Sequence, residues 1–262
     1  MAQKDIIDKY EYDVIYDTET SKKVEDWGIP SDDPSHPHIV SLAAVKCERK
    51  TGNIVGAIDL VMRQDGWETT EEAFNVHGIS KEYSLKVGVN ELTAVLLFVQ
   101  FCENSMRVCY NQTFDQRIVR ICLKRNRLLD AAEEWSRKDN HACAMIMSKW
   151  IMRLPPFGKF GPRNPKLTAA FKHFTGNELD GAHGAMIDTM AAKTVFYSIV
   201  NANGGKIFLP GGKNEPVESG DDSEALFSDQ SNQDVLRTFD LEDDSEDKAE
   251  IEPGPIDQDD PY

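Results

Sequence analysis

Four carboxylates and one histidine in this 262-residue chain stand where they could act on one site. Asp17-Thr18-Glu19 closes a β-branched and aromatic run, Tyr12-Asp13-Val14-Ile15-Tyr16, that reads as a strand. Residues two apart on a strand share a face, so Asp17 and Glu19 project together while Thr18 points away. Two convergent carboxylates at one edge suit a hard cation such as Mg²⁺; a solvated strand end is the plainer alternative. Asn111-Gln112-Thr113-Phe114-Asp115 brings a third carboxylate to the start of a helix, where an acid also serves the helix dipole. His183-Gly184-Ala185-Met186-Ile187-Asp188 brings a fourth, in a helix whose neighbouring residues are small or apolar. A lone carboxylate there costs several kcal/mol unless cations pair with it. In an unbroken helix His183 and Asp188 would diverge by about 140° at roughly 3.6 residues per turn. The histidine therefore belongs to the loop before the helix, as a catalytic group or as a capping or core residue.

The elements that must carry these groups follow from periodicity. Residues 21–37 hold Pro30, Pro34 and Pro37 among polar neighbours and form a loop. Residues 39–45 and 54–62 are two further strands, joined by the turn chemistry of Thr51-Gly52-Asn53, so the first three strands form an antiparallel meander. Leu92, Val95, Leu96, Val99 and Phe101 then mark a helix, and residues 107–110 a short strand. A second helix carries Ile118, Ile121, Cys122 and Arg125. Residues 141–153, 167–174 and 185–200 predict three more. Strands first and alternation afterwards means an α/β chain with a mixed sheet flanked by helices.

Composition divides the chain. Residues 214–262 contain 18 acidic and 2 basic side chains and so account for the whole formal charge of -16. A folded body over residues 1–210 is expected, with 211–262 a disordered acidic tail too poor in apolar residues to offset ordering entropy. The balanced body is free to handle nucleic acid. No run of about 18 apolar residues is present, which predicts no membrane partner. Five scattered cysteines without a Cys-x-x-Cys pair argue against a disulfide framework or a zinc site, and a cytoplasmic location is expected.

Asp-x-Glu after the first strand, Asn-x-x-Phe-Asp in mid-chain and His-x-Ala-x-x-Asp in the last helix together resemble the three motifs of the DEDDh (DnaQ-like) 3′–5′ exonucleases. Ala73-Phe74-Asn75-Val76-His77-Gly78-Ile79 is similar to a segment of the proofreading subunits of that family, the epsilon subunit of bacterial DNA polymerase III among them. Pro165-Lys166-Leu167 resembles the segment before the third motif. The resemblance spans about residues 12–200. Many members continue their first motif with a glycine where this chain has Ser21-Lys22-Lys23, so the loop after the first strand should differ.

The resemblance implies a ribonuclease H-like five-stranded mixed sheet and a phosphodiester hydrolase with two Mg²⁺ or Mn²⁺ ions. It implies that Asp17, Glu19, Asp115 and Asp188 hold the metals, with Asp17 shared by both, and that His183 takes a proton from the attacking water. Thr18, Thr20, His77, Asn111 and Phe114 would line the pocket of the 3′-terminal nucleotide. Arg117, Arg120, Lys124, Arg125, Arg127, Lys159, Arg163 and Lys166 are candidates for phosphate contact or for a solvated face. The expected substrate is single-stranded DNA or a frayed 3′ end, cut to nucleoside 5′-monophosphates in proofreading, repair or end trimming. An RNA 3′–5′ exonuclease, or a non-catalytic nucleic-acid-binding accessory module, is the alternative. In the tail, Gln233, Leu236 and Phe239 at spacing three are similar to peptides that dock on sliding clamps, so a clamp or a DNA polymerase is a candidate partner.

Overall fold

A computed structural model describes residues 9–137, 139–158 and 161–202. The expected tail, with the 233–239 peptide, and Lys159 lie outside the described residues. The chain begins with β1 (Tyr12–Thr20), β2 (Ile39–Glu48) and β3 (Ile54–Val61). Then come α1 (Glu71–His77), α2 (Lys81–Val87), α3 (Glu91–Phe101), β4 (Ser105–Cys109), α4 (Gln112–Arg125) and α5 (Leu129–Trp135). It continues through β5 (His141–Cys143), α6 (Ala144–Met152), α7 (Leu167–Thr175) and α8 (Ala185–Ala202).

The strands form one mixed sheet in the order β3-β2-β1-β4-β5, with β1, β2 and β3 antiparallel in sequence and β1, β4 and β5 parallel. The expected meander is present. Its turn closes where the amide of Gly52, at φ +70°, donates to Glu48 O at 2.8 Å. Alternation along β1 sends Val14 and Tyr16 to one face and Ile15 to the other, which divides the core into two layers. On the first, Val14, Tyr16, Leu42 and Ala44 pack against Val95 and Phe98 of α3, Ile118 and Ile121 of α4, and Trp135 of α5. On the second, Ile15, Val45 and Val108 pack against Met145 of α6, Ala170 of α7 and Val195, Phe196 and Ile199 of α8. Each fully buried large side chain contributes roughly 1.5–3 kcal/mol relative to exposure. Among the described residues no helix is long and apolar enough to cross a membrane. All five cysteines are unpaired and buried.

The structure differs from the sequence reading in several stretches. Residues 141–153, read as a single helix, begin with three strand residues, in which His141, Ala142 and Cys143 pair in parallel with Arg107, Val108 and Cys109. A vacant sheet edge satisfies the backbone of this fully buried triplet, which local periodicity cannot register. The helices α1, α2 and α5, seven residues each, fall in stretches that the periodicity left without an element.

One charged group is built into the second layer. Asp13 on β1 is fully buried and accepts hydrogen bonds from Arg49 Nε at 3.1 Å and Nη2 at 2.5 Å, and from the Tyr197 hydroxyl at 2.9 Å. Burial raises the Asp13 pKa, and the bonds from Arg49 and Tyr197 work against that rise. Arg49→Ala is expected to strand the carboxylate and lower the unfolding free energy by about 3–5 kcal/mol in urea titrations. Tyr197→Phe, which leaves the ion pair, should cost only about 1–2 kcal/mol. Equal midpoints for the two variants would contradict this account.

Candidate active site

The site is a consequence of unequal strand lengths. The parallel pairing of β1 with β4 runs from Tyr12↔Ser105 to Ile15↔Val108, and β4 ends at Cys109. β1 continues to Thr20, paired on its other edge through Asp17↔Ala43, Thr18↔Leu42 and Glu19↔Ser41. Past Cys109 the free edge of β1 is met by the start of α4. There the Thr18 amide donates to Asp115 Oδ1 at 3.0 Å and the Thr18 hydroxyl to the same oxygen at 2.7 Å. Asp115 thus takes the place of a missing strand partner, and it does so from the first turn of α4, where its charge also complements the helix dipole. Two backbone amides, Phe114 and Asp115, donate instead to Asn111 O at 3.0 and 3.4 Å.

Asp17 and Glu19 lie on the opposite face, under α8. Thr189, the neighbour of Asp188, donates its hydroxyl to Ala43 O at 3.2 Å. Ala43 is the register partner of Asp17, so this bond sets Asp188 beside Asp17. One carboxylate oxygen from each of Asp17, Glu19 and Asp188 lies within 4.8 Å of the others. His183 is exposed in the loop before α8, as its spacing from Asp188 requires, and adopts φ +75°. Its amide donates to Asp188 Oδ2 at 3.2 Å.

Electrostatics mark the cluster as incomplete. Asp17 is raised well above the usual carboxylate range by burial, then by Asp115, Glu19 and Asp188. Glu19 is pushed up to about 8 by burial, Asp188 and Asp115. Asp115 rises to about 7 because burial outweighs the Thr18 bonds that oppose it. Asp188 is raised by burial, opposed by the His183 amide, and its Oδ1 is buried with no hydrogen-bond partner. Convergent hard oxygens, an orphaned carboxylate oxygen and mutual repulsion fit a divalent cation such as Mg²⁺.

The residues read as pocket walls are placed less uniformly. Thr18 is buried, with its hydroxyl on Asp115. The Thr20 hydroxyl donates to Lys22 O at 3.0 Å. Asn111 is exposed at the start of α4, with no side-chain cap bond. His77 closes α1, its Nδ1 accepting from the Ile79 amide at 3.0 Å while Nε2 is buried without a partner; burial lowers its pKa. The start of α1 is tied to the end of β1, with Thr70 N donating to Ser21 O at 2.8 Å. Phe114 meets the Trp27 ring edge-on at 5.8 Å. Trp27 was not singled out from the sequence, although a tryptophan in a polar, proline-rich loop is itself a signal. The Arg117 guanidinium lies 4.2 Å over the Trp27 ring and donates to its carbonyl at 2.5 Å. Arg125 donates to His36 O and Pro37 O, both at 2.8 Å. The loop of residues 21–37 is therefore clasped to α4.

No protein-family model matches the sequence, and no curated protein matches it. Solved structures do. The nuclease domain of 3′hExo, a DEDDh family member bound to rAMP, aligns with a TM-score of 0.59 at 14% identity, over 79% of this chain and 97% of that one. A 3′-exonuclease solved for its recognition of the histone mRNA stem-loop gives 0.56 at 12% identity, over 77% and 86%. E. coli exonuclease I in complex with a dA16 oligonucleotide gives 0.56 at 19% identity, over 73% of this chain but 41% of that one. The chain thus spans less than half the length of exonuclease I. What these similarities establish is architecture: the chain has the ribonuclease H-like fold of the DEDDh 3′-exonucleases.

Proposed function

We propose that this chain is a divalent-metal-dependent 3′–5′ exonuclease that releases nucleoside 5′-monophosphates from DNA 3′ ends. The observation that carries the reading is the convergence of Asp17, Glu19 and Asp188 within 4.8 Å, on a β1 strand that also fastens Asp115. Asp17, Glu19 and Asp188 would hold one Mg²⁺ or Mn²⁺ ion, and Asp17 with Asp115 a second. When bound, such ions neutralise charge on the scissile phosphate and make water acidic enough to lose a proton near neutral pH. His183, exposed and joined through its amide to Asp188, is the group that accepts that proton on its imidazole. Thr18 keeps Asp115 aimed at the site.

RNA is the second reading, favoured by coverage. The chain spans nearly the whole nuclease domain solved with rAMP and most of the histone-mRNA 3′-exonuclease, against 41% of exonuclease I. The likeness of residues 73–79 to proofreading subunits supports a polymerase-associated role; the neighbours above are nucleases of other kinds. Residues 1–210 are proposed as the nuclease and 211–262 as a docking tail for a clamp or polymerase.

End-labelled DNA and RNA strands of one sequence should both be tried. Chelator should abolish mononucleotide release and Mg²⁺ or Mn²⁺ restore it. Asp17→Ala should cost several orders of magnitude, and His183→Ala roughly 10²–10⁴-fold. An Asp17→Ala protein as fast as wild type would place the chemistry elsewhere.

The raised carboxylates give a pH signature for the protein in chelator. They bind protons more tightly folded than unfolded, so stability falls as pH rises from about 4 toward 8, through the folded values of Asp115 and Glu19. The melting temperature should fall over that window, and Mg²⁺ should recover most at the alkaline end. Asp17→Asn should flatten the profile, and a flat wild-type profile would rule the cluster out as its source.

Deleting residues 214–262 should leave the rate on short strands within a few-fold. A larger loss in the same assay would assign the tail a part in the chemistry.

A further inference from the structure

Four of the basic residues that the sequence offers for phosphate contact fall into two pairs in the structure. Arg117 lies on Trp27, and Arg125 holds the carbonyls of His36 and Pro37, so both are engaged by the 21–37 loop. Arg163 and Lys166 are exposed, as is Arg153, and among the described residues none of the three forms an ion pair. All three belong to one connection, between α6 and α7, which also leaves the Phe157 ring 62% exposed.

This connection is built and anchored. Arg163 N donates to Leu154 O at 3.0 Å, and Gly158 and Gly161 exchange amide-to-carbonyl bonds of 2.9 and 3.1 Å, so the chain doubles back as a hairpin. Gly161 has φ +90°, and a Cβ there would come within 2.7 Å of the Trp150 ring, so only glycine lets the hairpin lie against α6. At its base the Tyr110 hydroxyl donates to Pro165 O at 2.7 Å. Tyr110 is the residue after β4, a buried core residue five positions before Asp115. Unpaired cations and an exposed aromatic ring on a connection tied to the end of β4, the strand end from which Asp115 follows, match a single-stranded nucleic acid, which offers phosphates and unstacked bases together.

We infer that Arg153, Phe157, Arg163 and Lys166 carry the strand upstream of the 3′-terminal nucleotide: the three cations meet its phosphates and the Phe157 ring stacks on a base. The inference rests on the nuclease reading and names where a longer substrate extends from that site.

The test uses the full chain in chelator, with a 5′-labelled oligothymidylate of twelve nucleotides, by fluorescence anisotropy across a salt series. Arg153→Gln/Arg163→Gln/Lys166→Gln should weaken binding about tenfold at 0.1 M salt. It should also reduce the slope of log K against log salt by about 2, at roughly 0.7 per phosphate contact. Phe157→Ala should weaken binding several-fold with the slope unchanged. Hydrolysis of a dinucleotide with Mg²⁺, too short to reach the hairpin, should be the same in all three proteins. Unchanged affinity in either variant overturns the inference, as does equally tight binding of a blunt duplex or a loss on the dinucleotide matching that on the long strand. If wild type with Mg²⁺ leaves the long strand intact while binding it, the nuclease reading fails and the hairpin remains as a binding surface.

Discussion

Two hydrogen bonds from Thr18 to Asp115 Oδ1 join what the sheet otherwise keeps apart. Asp17 and Glu19 point from β1 toward α8, whereas Asp115 rises from α4 in the other layer. A carboxylate from the far side can reach the same cleft only where β4 stops and leaves the Thr18 amide unclaimed. Without that early stop, β4 would pair with Thr18 and shut Asp115 out. The length of one short strand therefore decides whether four acids can meet, and the rest of the architecture holds the two helices at the right distance from that gap.

Asp13 and Asp17, four residues apart on β1, show two outcomes for a carboxylate drawn away from water, Asp13 fully and Asp17 partly buried. Asp13 is met by Arg49 and Tyr197 and serves the fold. The charges acting on Asp17 are three more carboxylates, so its environment favours a proton, or a cation brought from outside. The unmet group marks function because its cost is removed only by something the chain itself does not supply.

Much of this was legible in the sequence. Two-residue spacing put Asp17 and Glu19 on one face, turn chemistry at Gly52 gave the meander, and five-residue spacing put His183 in a loop. What escaped depends on distant partners. β5 is a strand because β4 lies beside it; its three residues carry no period of their own. The bonds from Thr18 to Asp115 become readable only once the end of β4 is known. The arginines of α4 look alike in sequence, yet Arg117 and Arg125 clasp a loop some ninety residues upstream. Trp27 acquires a role only through that clasp.

The burial of all five cysteines has a consequence for redox chemistry. Attack on a disulfide or peroxide needs a thiolate, and burial pushes these thiols the other way, Cys47 to about 11 and Cys102, Cys109, Cys122 and Cys143 upward as well. At neutral pH they are protonated and shielded. Thiol reagents, glutathione exchange and intermolecular cross-linking find no handle on the folded body, so an oxidising episode that silences proteins with surface thiols would pass these by unless the core first opened.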